Sequence, residues 1–467
     1  MSGQKNKLVE NANFIVREFF RIRELSKHDF KLINSDDWAY SVPAASGGSW
    51  LIGRAAGESL DDLAREAGKR AGIARNISTI RLRELMQARF SERFLTGKIP
   101  ITMSSIEKTL SIVGREAKTK CKNKKYLIPC HLMTEDEIGE FNIGPIKFRN
   151  RSHTRNYIIE KMKNSDLRGK KESDSRRRAY LRRLLRDGLL YYRDFRWSAE
   201  VEIIGCDDEV SRDIADYAVT SALNCMHLLF GASSTDNMRV GGPKLRRDNR
   251  AIFSLSPEGS LDVSLSMSGA GQINFASGWS SCFEREDFRK AVELCGVALE
   301  ASVNPILERP LSRRFLDAAQ WYGEAVRDES YSTKVVKYAT ALERMVITDE
   351  KNDIASILAD RISAICITRP EIGEREKIID QVKILYRARS KLVHGSMSPK
   401  SPELFRASYL GGMLGRDLLL LIISDFGNVG LREDNFSVSR LSKYYDMRVK
   451  FIENLIEESK NTQSDQC

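Results

Sequence analysis

The spacing of apolar residues changes twice along this chain of 467 residues, and each change restricts what a segment can fold into. Residues 60–71 and 80–94 carry an apolar residue every three to four positions, which predicts amphipathic helices. In the middle of the chain, apolar and polar residues instead alternate in several runs, which is typical of half-buried strands. After Pro305 the helical spacing returns. The sequence therefore predicts an α+β fold, with helices and strands mixed in the N-terminal and middle regions and an all-α bundle at the C-terminus.

A chain of this length is too long for one ordinary core, so we expect two or three domains. We predict a mainly helical region over 1–100, a mixed α+β sensor or regulatory domain over 101–304, and a helical bundle over 305–460. Within them the patterns predict a loop at 44–49, strands at 126–132, 143–148, 195–203 and 261–267, a helix at 210–230 ending at Gly231, and bundle helices at 315–326 (with Ser312 as N-cap), 333–346, 354–367, 371–393, 405–426 and 437–458.

Composition indicates a folded protein outside membranes. Hydrophobic residues make up 42% of the chain and charged residues 30%, which is not the balance of a disordered chain. The longest aliphatic run, Leu418–Ile423, is flanked by charged residues and is too short to span a bilayer. Met1–Glu10 is polar and lacks the apolar stretch of a secretion signal. We expect a cytoplasmic location and no membrane partner.

The eight cysteines include no Cys-x-x-Cys pair, which favours buried thiols in a reducing compartment over a zinc site. Residues 241–250 read as a basic loop and contain neither the Walker nor the dinucleotide glycine spacing. The sequence therefore gives little support for a function in nucleotide hydrolysis or hydride transfer. We expect no cofactor and no bound metal.

The net charge of +11 is concentrated in one segment. Residues 147–196 contain 17 Lys or Arg against 6 Asp or Glu, an excess that equals the net charge of the whole chain. A helix is predicted at the centre of this segment, over 168–186, and a basic helix attracts phosphate backbones without sequence choice. The residues expected to bind RNA there are Arg176, Arg177, Arg178, Arg182 and Arg183. A solvated helix face or a flexible insertion is the alternative, and the sequence does not decide between the two.

The stretch 386–395 places a permanent cation close to a titratable imidazole. Arg389 cannot be deprotonated near neutrality, whereas His394 can both accept and donate a proton there. Cleavage of RNA needs a base, an acid and charge stabilisation, because the 2′-hydroxyl is an internal nucleophile. His394 is the candidate base or acid, Arg389 the candidate phosphate ligand, and Lys391 a further RNA contact. The expected products carry a 2′,3′-cyclic phosphate and a 5′-hydroxyl.

The last third of the chain resembles the Apea-like branch of the HEPN domains in three stretches, 385–395 (LYRARSKLVHG), 338–343 (YATALE) and 358–362 (LADRI). Residues 142–148 and 314–325 are similar to what accompanies this domain. HEPN families share an Arg and, a few residues later, a His on the last long helix. Many are metal-independent endoribonucleases that act as dimers, and Apea-like members are associated with abortive infection.

The resemblance therefore implies an RNA-cleaving hydrolase in antiphage defence. It also implies a homodimer or higher homo-oligomer as the working form. A phage-derived or nucleotide trigger would then release the activity.

Helical geometry complicates the motif. Five residues at roughly 100° each put Arg389 and His394 about 140° apart on an ideal helix, so they would not share a face. Either the last turn unwinds at Gly395 and lets His394 swing round, or Arg387, seven residues before His394, contributes directly. Many HEPN ribonucleases carry Asn, Asp or His at the position that Ser390 occupies here, which makes Ser390 a departure from the pattern.

The sequence leaves two points undecided: the role of Glu343 and the identity of the second proton-transfer group. Glu343 is a polar residue on an otherwise apolar helix and is expected to orient Arg389 or His394. The preferred alternative is a buried salt bridge from Glu343 to an arginine such as Arg361. One motif histidine per chain also leaves the second proton-transfer group unassigned, and a symmetric dimer would supply it.

Two other functions fit the same residues. In a non-catalytic RNA-binding or dimerisation scaffold, His394 would only end its helix, with Gly395 as the cap. In the other alternative, the chain is a target or partner of a nucleotidylyl-transfer enzyme and is modified at Tyr386 or a neighbour. His227 lies in an apolar run and is expected to be a core residue.

Overall fold

The computed structural model describes residues 2–24, 38–43, 48–133, 137–163, 175–241, 248–255, 261–268, 278–368 and 371–464. The chain divides into two compact units, a smaller one of 1–124 with 203–214 and a larger one of 125–202 with 215–467. These limits differ from the divisions predicted near residues 100 and 304, which stay predictions. The fold class is α+β, as the apolar spacing predicted.

The smaller unit is mainly helical. Its elements are α1 (Ser2–Arg23), β1 (Trp38–Pro43), β2 (Ser49–Gly53), α2 (Arg54–Arg70), α3 (Thr79–Phe90), a π-helical extension of α3 (Ser91–Thr96) and α4 (Met103–Lys120). Helix α4 begins with a capping box in which Thr102 and Ser105 each bond the other's backbone N–H. The two predicted helices are confirmed. The antiparallel β1–β2 hairpin was not predicted, and most of the predicted loop at 44–49 lies outside the described residues.

A five-stranded sheet is built mainly from the larger unit. Its strands are β3 (Lys122–His131), β4 (Glu140–Ile143), β5 (Ile146–Asn150), β6 (Trp197–Cys206) and β7 (Arg239–Val240), in the order β4-β5-β6-β3-β7. In β6, Trp197, Ala199, Val201 and Ile203 are buried, so the predicted alternation marks the core face. A separate antiparallel hairpin pairs β8 (Asp248–Leu255) with β9 (Leu261–Ser268).

Two sequence predictions in this region are wrong. Residues 143–148 are not one strand: Gly144 adopts φ +55° in the turn of a hairpin, and Ile143 at the end of β4 pairs with Ile146 at the start of β5. A Cβ atom at Gly144 would also lie 2.4 Å from the carbonyl oxygen of Gly296, so the turn requires glycine both for its positive φ and for this close approach. The predicted basic loop ends in strand β8 from Asp248 onward, while residues 242–247 lie outside the described part of the chain.

The remaining helices belong to the larger unit, apart from the first turns of α7. They are α5 (Arg151–Lys163), α6 (Ser175–Tyr192), α7 (Asp208–Phe230), α8 (Glu286–Val303), α9 (Pro310–Arg327), α10 (Tyr331–Val346), α11 (Ile354–Cys366), α12 (Ile372–Val393), α13 (Glu403–Arg432) and α14 (Val438–Ser464). All six predicted bundle helices are confirmed, as is the helix that ends at Gly231, where φ is +89°. Ser312 is not an N-cap: Pro310 starts α9, and the Ser312 hydroxyl donates to the carbonyl of Leu431.

The bundle packs around α13. Helices α8, α9, α10 and α12 contact α13, and α12 also packs on α10 and α11. The approach is close at Gly411, where a Cβ atom would lie 2.8 Å from Cβ of Tyr338 and 3.1 Å from Cδ1 of Leu385. Helix α13 is long and apolar enough to cross a membrane, but 61% of its apolar window is buried among the described residues, as in the core helix of a soluble protein.

Candidate functional site

The motif helix α12 ends at its histidine. Val393 is the last helical residue, and His394 follows with φ −84° and ψ 3°. Gly395 adopts φ +71° and donates to the carbonyl of Leu392, while Ser396 N–H reaches back to the carbonyl of Lys391. These two bonds are a Schellman motif, which satisfies carbonyls that would otherwise be open at a helix end. The helix thus ends at Gly395, the predicted cap, while His394 keeps a helical bond from its N–H to the carbonyl of Ser390.

Arg389 faces the neighbouring helix α10 and is paired there with Glu343. Its Nη2 lies 3.4 Å from Oε1 of Glu343 and donates a long hydrogen bond of 3.5 Å to Oε2. Both side chains are partly buried. Among the described residues, neither the buried Nε of Arg389 nor the buried Oε1 of Glu343 has a hydrogen-bond partner. Charge-assisted bonds are normally shorter, so this pair is loosely made and both groups keep bonding capacity.

Glu343 therefore forms its salt bridge with Arg389, the arginine that it was expected to orient, and not with Arg361, the arginine named for the alternative. Arg361 instead donates to Oε1 of Glu350 at 2.6 Å and to the carbonyl of Val346 at 2.9 Å. The reason is position along α10: Glu350 follows the end of the helix, where Arg361 on α11 reaches it, whereas Glu343 lies in the last turns beside α12.

A tyrosine completes the buried side of the motif. The Arg389 guanidinium carbon lies 5.6 Å from the ring centre of Tyr386, one turn earlier on α12. Burial raises the pKa of the Tyr386 hydroxyl, and the negative charge of Glu343 raises it further. Burial likewise raises the pKa of the Glu343 carboxyl, against the opposing effect of Arg389. The three-residue spacing of Tyr386 and Arg389 was the sequence signal for this contact.

The exposed side of α12 carries two other cations and the imidazole. Arg387, Lys391 and His394 are all exposed, and their spacing of four and three residues puts them on one face of the helix. Ser390 is partly buried, and its carbonyl accepts the His394 N–H at 3.0 Å. Within the described structure, the His394 ring makes no hydrogen bond or ion pair. The motif is thus divided between two sides of α12. Arg387, Lys391 and His394 form an exposed edge, and Arg389 is partly buried on the other side.

The predicted RNA-binding helix is described in part. Helix α6 spans Ser175–Tyr192, but the side chains of Arg176, Arg177, Arg178 and Arg182 lie outside the described residues. Arg183 is exposed and lies 3.8 Å from Asp187. Tyr180 and Leu184 are exposed as well, so these two apolar side chains are open to solvent alongside Arg183.

A buried polar cluster between α7 and α9 was not predicted from the sequence. His227 is buried, as predicted for a core residue, but its Nε2 lies 2.8 Å from Nη1 of Arg327 and its Nδ1 lies 2.8 Å from the hydroxyl of Thr235. Arg327 can only donate, so Nε2 accepts and the proton is on Nδ1. Burial lowers the pKa of His227 well below its usual range, and the charge of Arg327 lowers it further.

Comparison with protein-family models, with curated proteins and with solved structures found no match to this chain. The interpretation of the site therefore rests on its own geometry and on the residues quoted for the resemblance.

The chemistry open to this geometry is limited and specific. An exposed imidazole at a helix end can exchange protons with a bound molecule. Arg387 and Lys391 can hold an anion on the same face, and Arg389 can reach a phosphate if its loose pair with Glu343 opens. The C-terminal end of α12 is the negative end of the helix dipole, so it favours cationic side chains and not a bare anion. The three cations must therefore supply the attraction for a phosphate.

Proposed function

We propose that this chain is an endoribonuclease that cleaves RNA without a metal ion. The observation that carries the proposal is the exposed edge of α12, where His394 ends a helix whose same face presents Arg387 and Lys391. A phosphodiester bound to this edge has a proton-transfer group and two cations within one face. Arg389 joins them from behind when the phosphate replaces Glu343 as its partner.

The reaction is a transesterification. The base removes the proton of the 2′-hydroxyl, O2′ attacks the phosphorus, and the bond from phosphorus to O5′ breaks as the acid protonates the leaving oxygen. The arginines and Lys391 stabilise the charge that builds on the non-bridging oxygens. A 2′,3′-cyclic phosphate and a 5′-hydroxyl result. His394 fills one proton-transfer role, and a second copy of the chain, in a homodimer, supplies the other histidine.

The biological setting follows from the resemblance. An Apea-like HEPN protein would act in the cytoplasm as an abortive-infection effector against phage, with the rest of the chain restraining it until a phage-derived or nucleotide trigger arrives. The exposed basic and apolar residues of α6 would hold the RNA without sequence choice.

Expression of the wild-type chain and of His394→Ala at equal levels tests the proposal. We expect the wild type to arrest growth and to degrade RNA as a purified protein in EDTA, and the variant to do neither. Equal activity of the two purified proteins would contradict it. A binding assay in the same preparation separates loss of chemistry from loss of the RNA complex.

A non-catalytic scaffold is the second candidate, and one observation favours it. The Schellman motif gives His394 and Gly395 a sufficient structural role as the end of α12. A scaffold predicts RNA binding that weakens with salt, is unchanged in His394→Ala, and is accompanied by no cleavage.

A further inference from the structure

A cavity of about 460 Å³ lies in the larger unit, between the residues that follow α7 and helices α9, α10 and α13. Its volume falls in the range of small-molecule and cofactor sites. It is separate from the exposed edge of α12, since none of the residues that line it belongs to that helix. It shares α10 with the candidate site, because Tyr338 in its wall is five residues before Glu343.

Three aromatic side chains around this cavity are open to solvent. Tyr331 is 47% exposed, Phe405 60% and Tyr409 66%. The rings of Tyr331 and Phe405 meet edge to face with centroids 5.4 Å apart, and Tyr409 follows Phe405 by one helical turn on the same face of α13. Large aromatic residues are rarely left exposed as a group, and such patches mark binding sites. Flat faces of this kind suit a planar ligand.

The wall of the cavity holds an unused hydroxyl. Tyr322 and Tyr338 are both buried, with ring centroids 5.3 Å apart. The Tyr322 hydroxyl donates to the carbonyl of Gly412 at 3.1 Å. Tyr338 is only 3% exposed, yet its hydroxyl has no hydrogen-bond partner in the described parts of the chain. Because Tyr338 lines the cavity, this hydroxyl can bond a ligand there.

Charged groups at the cavity supply the remaining contacts. Lys334 lines it and makes no ion pair within 4 Å among the residues described. Asp417 lines it as well and can accept bonds from amino groups. Arg416, which also lines the cavity, is held in place because its Nε donates to the carbonyl of Leu228 at 2.7 Å. The cavity thus offers stacking faces, a tyrosine hydroxyl, a carboxylate acceptor and a lysine cation.

We propose that this cavity binds an unpaired nucleobase together with its phosphate. The base would stack on the exposed aromatic rings, Tyr338 and Asp417 would bond its polar edge, and Lys334 would contact the phosphate. An apolar peptide segment would use the rings but not the unpaired hydroxyl and the lysine. The ligand is either a free nucleotide or one base of a single-stranded RNA. This site stands apart from the proposed ribonuclease reaction, because binding here requires no cleavage.

Fluorescence of 2-aminopurine, which is quenched when the base stacks on an aromatic ring, tests the proposal. The probes are 2-aminopurine riboside 5′-monophosphate and a short single-stranded RNA that carries one 2-aminopurine. The full-length chain is used, in the His394→Ala background for the RNA probe so that no cleavage interferes. Tyr409→Ala and Phe405→Ala remove the rings, Tyr409→Phe keeps one, and Phe451→Ala removes a ring of similar exposure, 52%, on α14.

We expect quenching by the unmodified cavity and a loss of affinity of about tenfold in Tyr409→Ala and in Phe405→Ala, the effect of removing one base-stacking ring. Tyr409→Phe and Phe451→Ala should bind as the parent does. Quenching of both probes identifies a free nucleotide as a sufficient ligand, and quenching of the RNA alone identifies a strand. Absence of quenching with both probes, or equal affinity of Tyr409→Ala, Phe405→Ala and Phe451→Ala, would overturn the proposal.

Discussion

The guanidinium of Arg389 on α12 lies 3.4 Å from the carboxylate of Glu343 on α10, on the partly buried side of the motif helix. His394, five residues later, is exposed at the end of the same helix. The arginine and the histidine of the motif are therefore in different surroundings. In the proposed reaction, a phosphate that contacts both would compete with Glu343 for Arg389.

Replacement of Glu343 by Gln should lower both KM and kcat, for two different reasons. The neutral amide no longer repels a phosphate, so KM for RNA should fall. Arg389 loses a charged partner that orients it, so kcat should also fall, by about tenfold for the loss of one charged hydrogen bond. Steady-state cleavage of a fluorescent RNA measures both constants. Glu350→Gln, which breaks the neighbouring pair with Arg361, should lower stability and leave kcat unchanged. An unchanged kcat in Glu343→Gln would show that Glu343 has no role in orienting Arg389.

A series at the two arginines should separate attraction from catalysis. Arg387 is exposed, so Arg387→Ala should weaken RNA binding and reduce the salt slope of the affinity by about one. Arg389→Ala should instead lower kcat, and Arg389→Lys should not restore it, because a lysine lacks the planar fork that holds two phosphate oxygens. Binding and single-turnover cleavage at two salt concentrations distinguish the two effects. The opposite assignment, with kcat lost in Arg387→Ala alone, would make Arg387 the principal phosphate ligand.

Gly395→Ala should impair activity more than stability. Gly395 has φ +71°, a left-handed conformation that costs an L-residue with a Cβ atom about 1 kcal/mol. The strain falls on the Schellman bonds that place His394, so the helix end should fray. Urea unfolding and cleavage rates measure the two consequences. Gly373→Ala, at the other end of α12 and with no atom within 4 Å of the added methyl group, should be neutral or slightly stabilising. Equal activity of the two glycine variants would contradict this account of the helix end.

Acid should destabilise the larger unit through His227. Because its pKa in the folded protein lies well below the unfolded value near 6.5, the unfolded chain binds the proton more readily. The stabilisation is present above about pH 6.5 and is lost as the pH falls towards the folded pKa, by up to about 1.4 kcal/mol per pH unit. Urea unfolding between neutral and mildly acidic pH measures this slope.

His131 has a pKa lowered by burial too, so the test of His227 is a difference between two proteins. His227→Gln should be less stable than the parent at neutral pH and should show a smaller loss of stability in acid. His394→Gln, a change at an exposed site, is the matched control and should keep the parent's slope. The same slope in His227→Gln as in the parent would rule out the role assigned to His227.

Much of the fold was accessible from the sequence because apolar spacing reports directly on buried faces. The helices of the bundle and strand β6 were predicted on this basis, and the helix ends at Gly231 and Gly395 followed from glycine's freedom to adopt positive φ. The turn at Gly144 was missed because a short apolar run on either side of a glycine looks like one strand. The β1–β2 hairpin was missed for lack of any clear alternation.

The pairing of charged residues could not be predicted in the same way. Glu343 lies in α10 and Glu350 follows the end of that helix, and only the packing of α10 against α11 and α12 decides which arginine each one meets. The division of the motif into an exposed edge and a buried arginine was partly foreseen from the 100° helical step. The cavity walled by Tyr331, Tyr338 and Phe405 was not, since residues from several helices create it.

The ends left on cleaved RNA test the proposed chemistry most directly. Purified wild-type protein and His394→Ala are incubated in EDTA with a defined RNA, and with the same RNA carrying a 2′-deoxy sugar at each cleaved position, and the product ends are determined. The account predicts 2′,3′-cyclic phosphate and 5′-hydroxyl ends from the wild type, no product from His394→Ala, and no cleavage at the 2′-deoxy positions. Ends with a 5′-phosphate and a 3′-hydroxyl, or cleavage that continues at the 2′-deoxy positions, would contradict it.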